Sequence, residues 1–371
     1  MRRKVLFILC NDFGELVMAD YFAEGQPIDA IAFCSPKLLS TYDKNTIQLL
    51  RHNGLQEILT CIEDFQPDTV ILASGYLLTL HNLLSIDELR LLLDILTKKK
   101  IAVATTDPWM KCWEEFRNHL DDDTKSALLA NPFQRLQEEL DELLRPMPHI
   151  YSTPFKTDRV PSFSFFNSNA FTHLSNKPEQ NLERWLFILA SIDYDSIAGI
   201  NPSGFFDALV ERFTEILVSP SASIVFICPP PCVDALLRRT ITESSRLVLV
   251  PFCSFTEFQR HIFSSDIGVY WNHLSASIIY CLHKQGAALF ADRGHMLTAC
   301  PPLAWHAHRA AWNCITPLNI DILKPITQDV VQAAAHSMHL MTTRIYPEYA
   351  RLPTPLEMIE KIRRFNCEEI K

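Results

Sequence analysis

Glycine is scarce in this chain, with 9 residues in 371, and none falls into the GxGxxG spacing that lets a backbone approach a dinucleotide pyrophosphate. A nicotinamide or flavin enzyme is therefore disfavoured. GxxxxGK[ST] is absent, which excludes a P-loop, and GxSxG is absent, which argues against a nucleophile-elbow hydrolase. Neither HExxH nor an EF-hand pattern occurs. Basic residues do not dominate: 34 Lys and Arg stand against 43 Asp and Glu, for a net charge of −9. A chain without a basic excess lacks the surface that displaces counterions from a phosphate backbone, so nucleic acid is not an expected partner. Long apolar runs are missing too. Stretches such as Val70–Ala73 and Ile224–Cys228 fall far short of the roughly 20 residues of a bilayer span, so no transmembrane segment is expected. Met1-Arg2-Arg3-Lys4 before Val5–Cys10 has the outline of a signal peptide, but Asn11-Asp12 interrupts it and no small-residue cleavage site follows. It reads as a first strand.

The 11 cysteines include no CxxC pair, and their odd count suits reduced thiols and a cytoplasmic location. Cys228 and Cys232 are closest, with Pro229-Pro230-Pro231 between them. No matching second pair exists, so buried thiols are preferred to a zinc site. His306 and His308 alternate in a Trp-His-Ala-His run without an acidic or thiol neighbour, and no metal is expected.

Hydrophobic residues make up 48% and charged residues 21%, the balance of a folded globular chain. A length of 371 implies two domains of roughly 150–200 residues. Buried-looking strands alternate with helix-periodic segments, the pattern of a parallel sheet covered on both faces, so the fold class is α/β with two doubly wound, Rossmann-like domains. The first half carries strands Lys4–Cys10, Ile28–Cys34, Thr69–Ala73 and Ile101–Thr105, and helices Glu15–Ala23, Gly54–Asp64 and Ser85–Lys98. Ser85 and Glu88 form a capping box. The stretch Trp109–Arg145 is helix-rich and acidic, a solvated outer face. Pro146–Pro178, rich in Pro, Ser, Asn and Phe, is the expected inter-domain connection.

The second half repeats the alternation. Helices are expected at Phe205–Leu217, Cys232–Arg239, Phe255–Phe263 and Ser275–Lys284, and strands at Ser223–Cys228, Arg246–Val250, Ile267–Tyr270 and Ala287–Ala291, with helical Thr327–Met341 and Pro355–Phe365 at the end. The domains are placed at 1–175 and 176–345, and 346–371 as a terminal helix that packs back on the first domain.

Open parallel sheets bind ligands beyond the carboxyl ends of their strands. After the first strand, Asn11-Asp12-Phe13-Gly14-Glu15 leads into a helix, and a carboxylate at a helix start is stabilised by about 0.3–1 kcal/mol. Glu15 is thus a candidate general base. The plainer reading is that Asp12 caps the helix and Glu15 supports its start. In the second half Ile267–Tyr270 runs into Asn272-His273 and a helix opening Ser275-Ala276-Ser277, whose amides and hydroxyls suit a diphosphate. The following strand delivers Arg293, Gly294 and His295 to the same edge. Ordinary capping by Ser275 and a satisfied His295 is the alternative. Asp107 and Trp109, after Ile101–Thr105, can hold an acceptor hydroxyl and stack on a sugar, or form a turn with a core aromatic. Pro229–Pro231 either borders a nucleotide base or acts as a rigid connector.

The order of these features resembles the GT-B type of glycosyltransferase, which has two facing Rossmann-like domains, the first for acceptor and the second for nucleotide-sugar. Ser265-Asp266, Ser275-Ala276-Ser277 and Gly286-Ala287-Ala288-Leu289 are similar to that family's C-terminal "aD, loop, S, helix, G.P.v" pattern. Gly14-Glu15 with Ala19 resembles the GE turn of Kdo-transferase-like members, whose glutamate is the base. The resemblance implies that Glu15 is the catalytic base, to which the position of Asp107 adds a second catalytic candidate, with Asp12, Gly14 and Trp109 on the acceptor side. It further implies that Phe252, Asn272, Ser275, Ala276, Ser277, Arg293, Gly294 and His295 hold the donor, with Ser254 also near the base. Proline is absent after Gly286, and Tyr280-Cys281 stand where relatives carry the ribose-binding acid, which leaves the donor open and favours an inverting outcome.

The expected activity is transfer of a sugar from a nucleotide-diphosphate donor to an acceptor, metal-independent and without a cofactor. A nucleotide-sugar epimerase or hydrolase, marked by acceptor-independent release, and a non-catalytic binding module, marked by failure to bind nucleoside diphosphates, are the competing readings.

Overall fold

The computed structural model describes residues 2–10, 13–72, 78, 83–106, 139–140, 142–151, 162–164, 182–189, 202–239, 244–271, 287–292, 318–337 and 352–369, and the structural statements concern these. The chain divides into two compact units, Met1–Asn167 with Glu348–Lys371, and Ser168–Pro347.

In the first unit the elements are β1 (Arg3–Ile8), α1 (Phe13–Ala23), β2 (Ile28–Cys34), α2 (Pro36–Thr41), β3 (Gln48–Arg51), α3 (Leu55–Phe65), β4 (Thr69–Leu72), α4 (Ile86–Lys98), β5 (Ala102–Thr105), β6 (His149–Tyr151) and β7 (Ser162–Ser164). The sheet order is β3-β2-β1-β4-β5-β6-β7, and every neighbouring pair is parallel. The second unit contains β8 (Arg184–Ile188), α5 (Pro202–Leu217), β9 (Ser223–Ile227), α6 (Pro230–Leu237), β10 (Leu247–Val250), α7 (Phe255–Ser264), β11 (Ile267–Tyr270), β12 (Ala287–Asp292) and β13 (Leu318–Asp321). Residues 328–337 are helical. Its order, β10-β9-β8-β11-β12-β13, is also parallel throughout. In both sheets the first strand is central, the next strands in sequence step out on one side, and the order then reverses to the other. That is the doubly wound Rossmann order.

The central strands are apolar because both their faces are covered. Val5, Leu6, Phe7 and Ile8 of β1 are fully buried. In the second unit the core is largely aromatic: the ring of Phe187 on β8 lies 5.0 Å from Phe213 and 6.1 Å from Phe226, and Trp271 is 6.3 Å away. Edge-to-face and tilted packing of this kind matches ring quadrupoles as well as burying area.

One backbone device closes the amino ends of both sheets. The residue before the fourth strand of each unit is an aspartate, Asp68 before β4 and Asp266 before β11. Asp68 Oδ2 accepts the Lys4 N–H at 2.9 Å and its own N–H donates to the Lys4 carbonyl at 2.8 Å. Asp266 Oδ2 accepts the Arg184 N–H at 3.0 Å, while its N–H donates to the Arg184 carbonyl at 2.8 Å. Each aspartate carbonyl then accepts the first amide of the following strand, Ala102 or Ala287, at 3.3 and 3.0 Å. In the second unit the Arg184 guanidinium adds a bidentate pair to Asp266, at 2.6 and 2.9 Å. Burial alone would raise the Asp266 carboxyl, but these Arg184 and backbone donors hold it below the usual carboxylate range.

Helix α8 (Pro355–Glu369) belongs to the first unit. A Thr354–Glu357 capping box starts it, and Arg3 Nε donates to Glu360 Oε1 at 2.6 Å. Strand β6 meets β5 only at the Thr105–His149 pair, so the amino half of β5 has an open edge there. Asn366 fills it: its Oδ1 accepts the Val103 N–H at 3.3 Å and its Nδ2 donates to the Val103 carbonyl at 3.2 Å.

Most expected elements are found within a residue or two. The Pro146–Pro178 stretch is corrected: it contains β6 and β7, the last strands of the first sheet, rather than only a connection. Pro229–Pro231 is corrected as well, because Pro230 opens α6 with Pro229 as its N-cap, where a missing N–H costs nothing. Strands β3, β8 and β13 escape the sequence reading. In the acidic stretch, Leu140 and Leu144 are buried in the first core while Glu139 and Glu142 are exposed; the remainder to residue 138 lies outside the described residues.

Three outcomes follow from these contacts. Asp266→Asn is expected to cost about 1–3 kcal/mol, since it weakens hydrogen bonds to a charged partner, and the lower urea midpoint is read on the second unit. A carboxyl with a lowered folded pKa adds stability above its unfolded value, about 3.9, and loses it as pH falls through the folded value. Acid unfolding of the parent chain should therefore begin at lower pH than it would without the Arg184 pair, and Arg184→Met should move it upward. Asn366→Ala should speed hydrogen exchange at Val103 and destabilise by about 1–2 kcal/mol.

Candidate functional site

In an open α/β sheet the crevice for a ligand lies at the carboxyl ends, where the strand order reverses. In the first unit that point is beyond β1, flanked by β2 and β4. The β1–β4 ladder runs to Ile8 and Leu72. Leu9 N–H goes to Phe33 O on the β2 side at 2.9 Å, and Cys10 O accepts from Ser35 N–H on the same side at 3.1 Å. Leu72 O accepts from Thr106 N–H at 3.1 Å as part of the β4–β5 ladder, and the Cys10 N–H donates to Glu15 Oε2 at 2.7 Å. The Cys10 thiol also donates to Glu15 Oε2, at 2.9 Å.

Glu15 is the third residue of α1, half-buried, in the first turn where helix dipole and free amides favour an anion. A glutamate at this position commonly reaches back to the cap residue. Here it reaches further, to the end of β1. Gly14 lies beside it in the first turn of α1. Asp12 is outside the described residues.

In the second unit the switch point lies between β8 and β11, which pair as far as Ile188 and Tyr270. Trp271 follows, fully buried. Asn272, Ser275, Ala276 and Ser277 lie outside the described residues, as do Arg293, Gly294 and His295, and Asp107 and Trp109. So do His306, His308 and Tyr280-Cys281. Strand β12 extends one residue further than expected, to Asp292, which pairs with Asp321.

Phe252 is described. It follows β10 at the carboxyl edge and is 70% exposed, a large apolar ring presented to solvent. Ser254 serves the fold, since its side chain accepts the Glu257 N–H at 3.2 Å as N-cap of α7. Ser265-Asp266 belongs to the opposite, amino end of β11, in the strand-closing device. The thiols of Cys228 and Cys232 are both buried; their mutual hydrogen bond, and then burial, push Cys228 far above the ordinary thiol range. No group of His, Cys, Asp or Glu among the described residues is arranged to hold a metal ion, and no described helix is long and apolar enough to cross a membrane. A groove of about 560 Å³ lies between α3 and the β2–β3 edge, lined by Ile31, Phe33, Leu50, Glu57, Cys61 and Phe65 among others. It receives nothing from β1 or β4 and is separate from the switch point.

Sequence reasoning misses Cys10 as the partner of Glu15, since a cysteine ending an apolar run reads as part of the buried strand. It also misses β8, although the run Trp185–Leu189 is legible as a short buried strand.

No protein-family model matches the chain, and no curated protein matches it in sequence. Among solved structures, CalG4, the calicheamicin glycosyltransferase, is similar with a TM-score of 0.54 and 9% identity, over 98% of this chain and 98% of that one. Glycosyltransferase SsfS6 from Streptomyces sp. SF2575, in complex with thymidine diphosphate, is similar with a TM-score of 0.50 and 12% identity, over 98% of this chain and 100% of that one. At such identities a likeness establishes the fold alone. The chain has the GT-B fold of two Rossmann-like α/β domains.

Proposed function

We propose that this protein is a glycosyltransferase that moves a sugar from a nucleoside-diphosphate donor to an acceptor hydroxyl, with Glu15 as general base. The observation that carries this reading is the Glu15 carboxylate at the switch point of the first sheet, anchored to Cys10 at 2.7 and 2.9 Å, in a chain with the GT-B fold. The transferase activity itself is carried over from fold analogy: CalG4 is a glycosyltransferase, and SsfS6 holds thymidine diphosphate.

In the proposed reaction Glu15 takes the proton of the acceptor hydroxyl as that oxygen bonds to the anomeric carbon. The bond from that carbon to the diphosphate oxygen breaks, and the nucleoside diphosphate leaves. Direct displacement of this kind inverts the anomeric centre. Rate comes from placing the acceptor and stabilising the charge on the departing phosphate. The Ser275-Ala276-Ser277 segment, Asn272, Arg293, Gly294 and His295 are proposed to supply amide, hydroxyl and cationic donors to that diphosphate, which makes a metal unnecessary. Asp12, Gly14, Asp107 and Trp109 are proposed for the acceptor side, with Asp107 assisting Glu15. The exposed ring of Phe252 is proposed to stack on the nucleobase. It stands at the end of β10, two strands from the switch point, about 10 Å at ordinary strand spacing, which suits the base better than the reacting sugar.

Calorimetric titration with a panel of nucleoside diphosphates tests the donor side: selective micromolar binding is expected, and no binding to any member would overturn the reading. Phe252→Ala should weaken the bound nucleotide about fivefold, from loss of roughly 1 kcal/mol of stacking. Glu15→Gln should cut transfer by about 100-fold or more with nucleotide affinity retained, because its carboxylate acts on the acceptor side. Transfer at the parent rate would remove Glu15 from the mechanism.

A further inference from the structure

We infer that Cys10 is the positioning residue for the Glu15 carboxylate, and that its thiol is the adjustable part of that hold. The inference deepens the proposed reaction and rests on Glu15 being its base.

Cys10 supplies two donors to one oxygen. The first is its backbone N–H, 2.7 Å from Glu15 Oε2, and the second its thiol, 2.9 Å from the same atom. The backbone donor cannot move, because Cys10 is locked by its neighbours: Leu9 N–H is bonded to Phe33 O at 2.9 Å and Cys10 O accepts Ser35 N–H at 3.1 Å. The side chain is confined as well, since Cys10 is completely buried. A thiol is a weak donor in water, where it competes with stronger partners. Away from water it has no such competition, and it must keep its proton to approach a carboxylate oxygen at this distance. Two donors in a V around Oε2 fix both that atom and the plane in which the carboxyl group can turn. One donor fixes only a distance.

The backbone N–H of Cys10 by itself joins Glu15 to the end of β1, and a simple apolar residue would fill the same buried volume, so the thiol adds a second donor that closing the sheet does not require. A carboxylate at the switch point, held there by a side chain as well as the backbone, has the precision a reacting group needs, since displacement of about 1 Å costs up to 100-fold in rate.

The test uses the full chain, with Cys10→Ala removing the thiol donor and Cys10→Ser restoring one. Infrared spectra in the S–H stretching region, taken as parent minus Cys10→Ala, isolate the Cys10 band. It should lie below the band of the other thiols and move upward when Glu15 is changed to Ala. A Cys10 band at the same frequency with and without the Glu15 carboxylate means the thiol does not hold it, and the inference fails whatever the activity. With a nucleoside-diphosphate sugar found by the titration panel, Cys10→Ala should lower kcat about tenfold with KM little changed, and Cys10→Ser should recover most of it. Equal kcat in parent and Cys10→Ala, alongside an inactive Glu15→Gln, would overturn the positioning role while leaving Glu15 as base. An active Glu15→Gln would instead overturn the base and leave the infrared result to stand by itself.

Discussion

A central strand in a parallel sheet has two neighbours, and where these leave in opposite directions the ladder must open at one end. In this protein the placing of Glu15 depends on the end of the ladder beyond β1. Ile8 and Leu72 are the last paired residues of β1 and β4, and the Cys10 amide lies two residues past Ile8. A buried amide without a partner costs roughly 1–3 kcal/mol, so some group must take it, and Glu15 does. Closing the sheet end and placing a carboxylate in the crevice are one event.

The two ends of each sheet do different work. At the amino ends, Asp68 and Asp266 join the first and fourth strands through the same set of backbone hydrogen bonds, which keeps the strands in register and together. Ion pairs add to these ends, Arg184 with Asp266 in one unit and Arg3 with Glu360 in the other. At the carboxyl ends the strands part, and the exposed or half-buried functional candidates, Glu15 and Phe252, are found. That separation lets the loops beyond the strands vary without weakening the ladder.

Repetition of the amino-end device in both units gives the Ser265-Asp266 part of the C-terminal pattern a structural role. Asp266 spends its carboxylate on Arg184 and on backbone amides, at the end of the sheet away from the crevice. Ser254 similarly caps α7. Position at the amino end of a strand or helix, rather than residue type, gives these two side chains their structural work.

The α/β class, the number of domains and most strand and helix positions were legible in the sequence, because burial on both faces forces continuous apolar runs such as Val5–Leu9 and Val70–Leu72 and because helices between them keep a helical period. The Ser85–Glu88 capping box was legible for the same local reason. What the sequence could not settle depends on groups far apart in the chain. The edge strand β3, with both end residues exposed, has no apolar run to betray it; β6 and β7 are too short to show a period; and Asn366 completes an edge of β5 more than 260 residues away. The partnership of Cys10 with Glu15 spans only five residues, but its place at the switch point follows from the order in which β2 and β4 flank β1. Strand order decides which amides are left over, and strand order is a property of the assembled sheet.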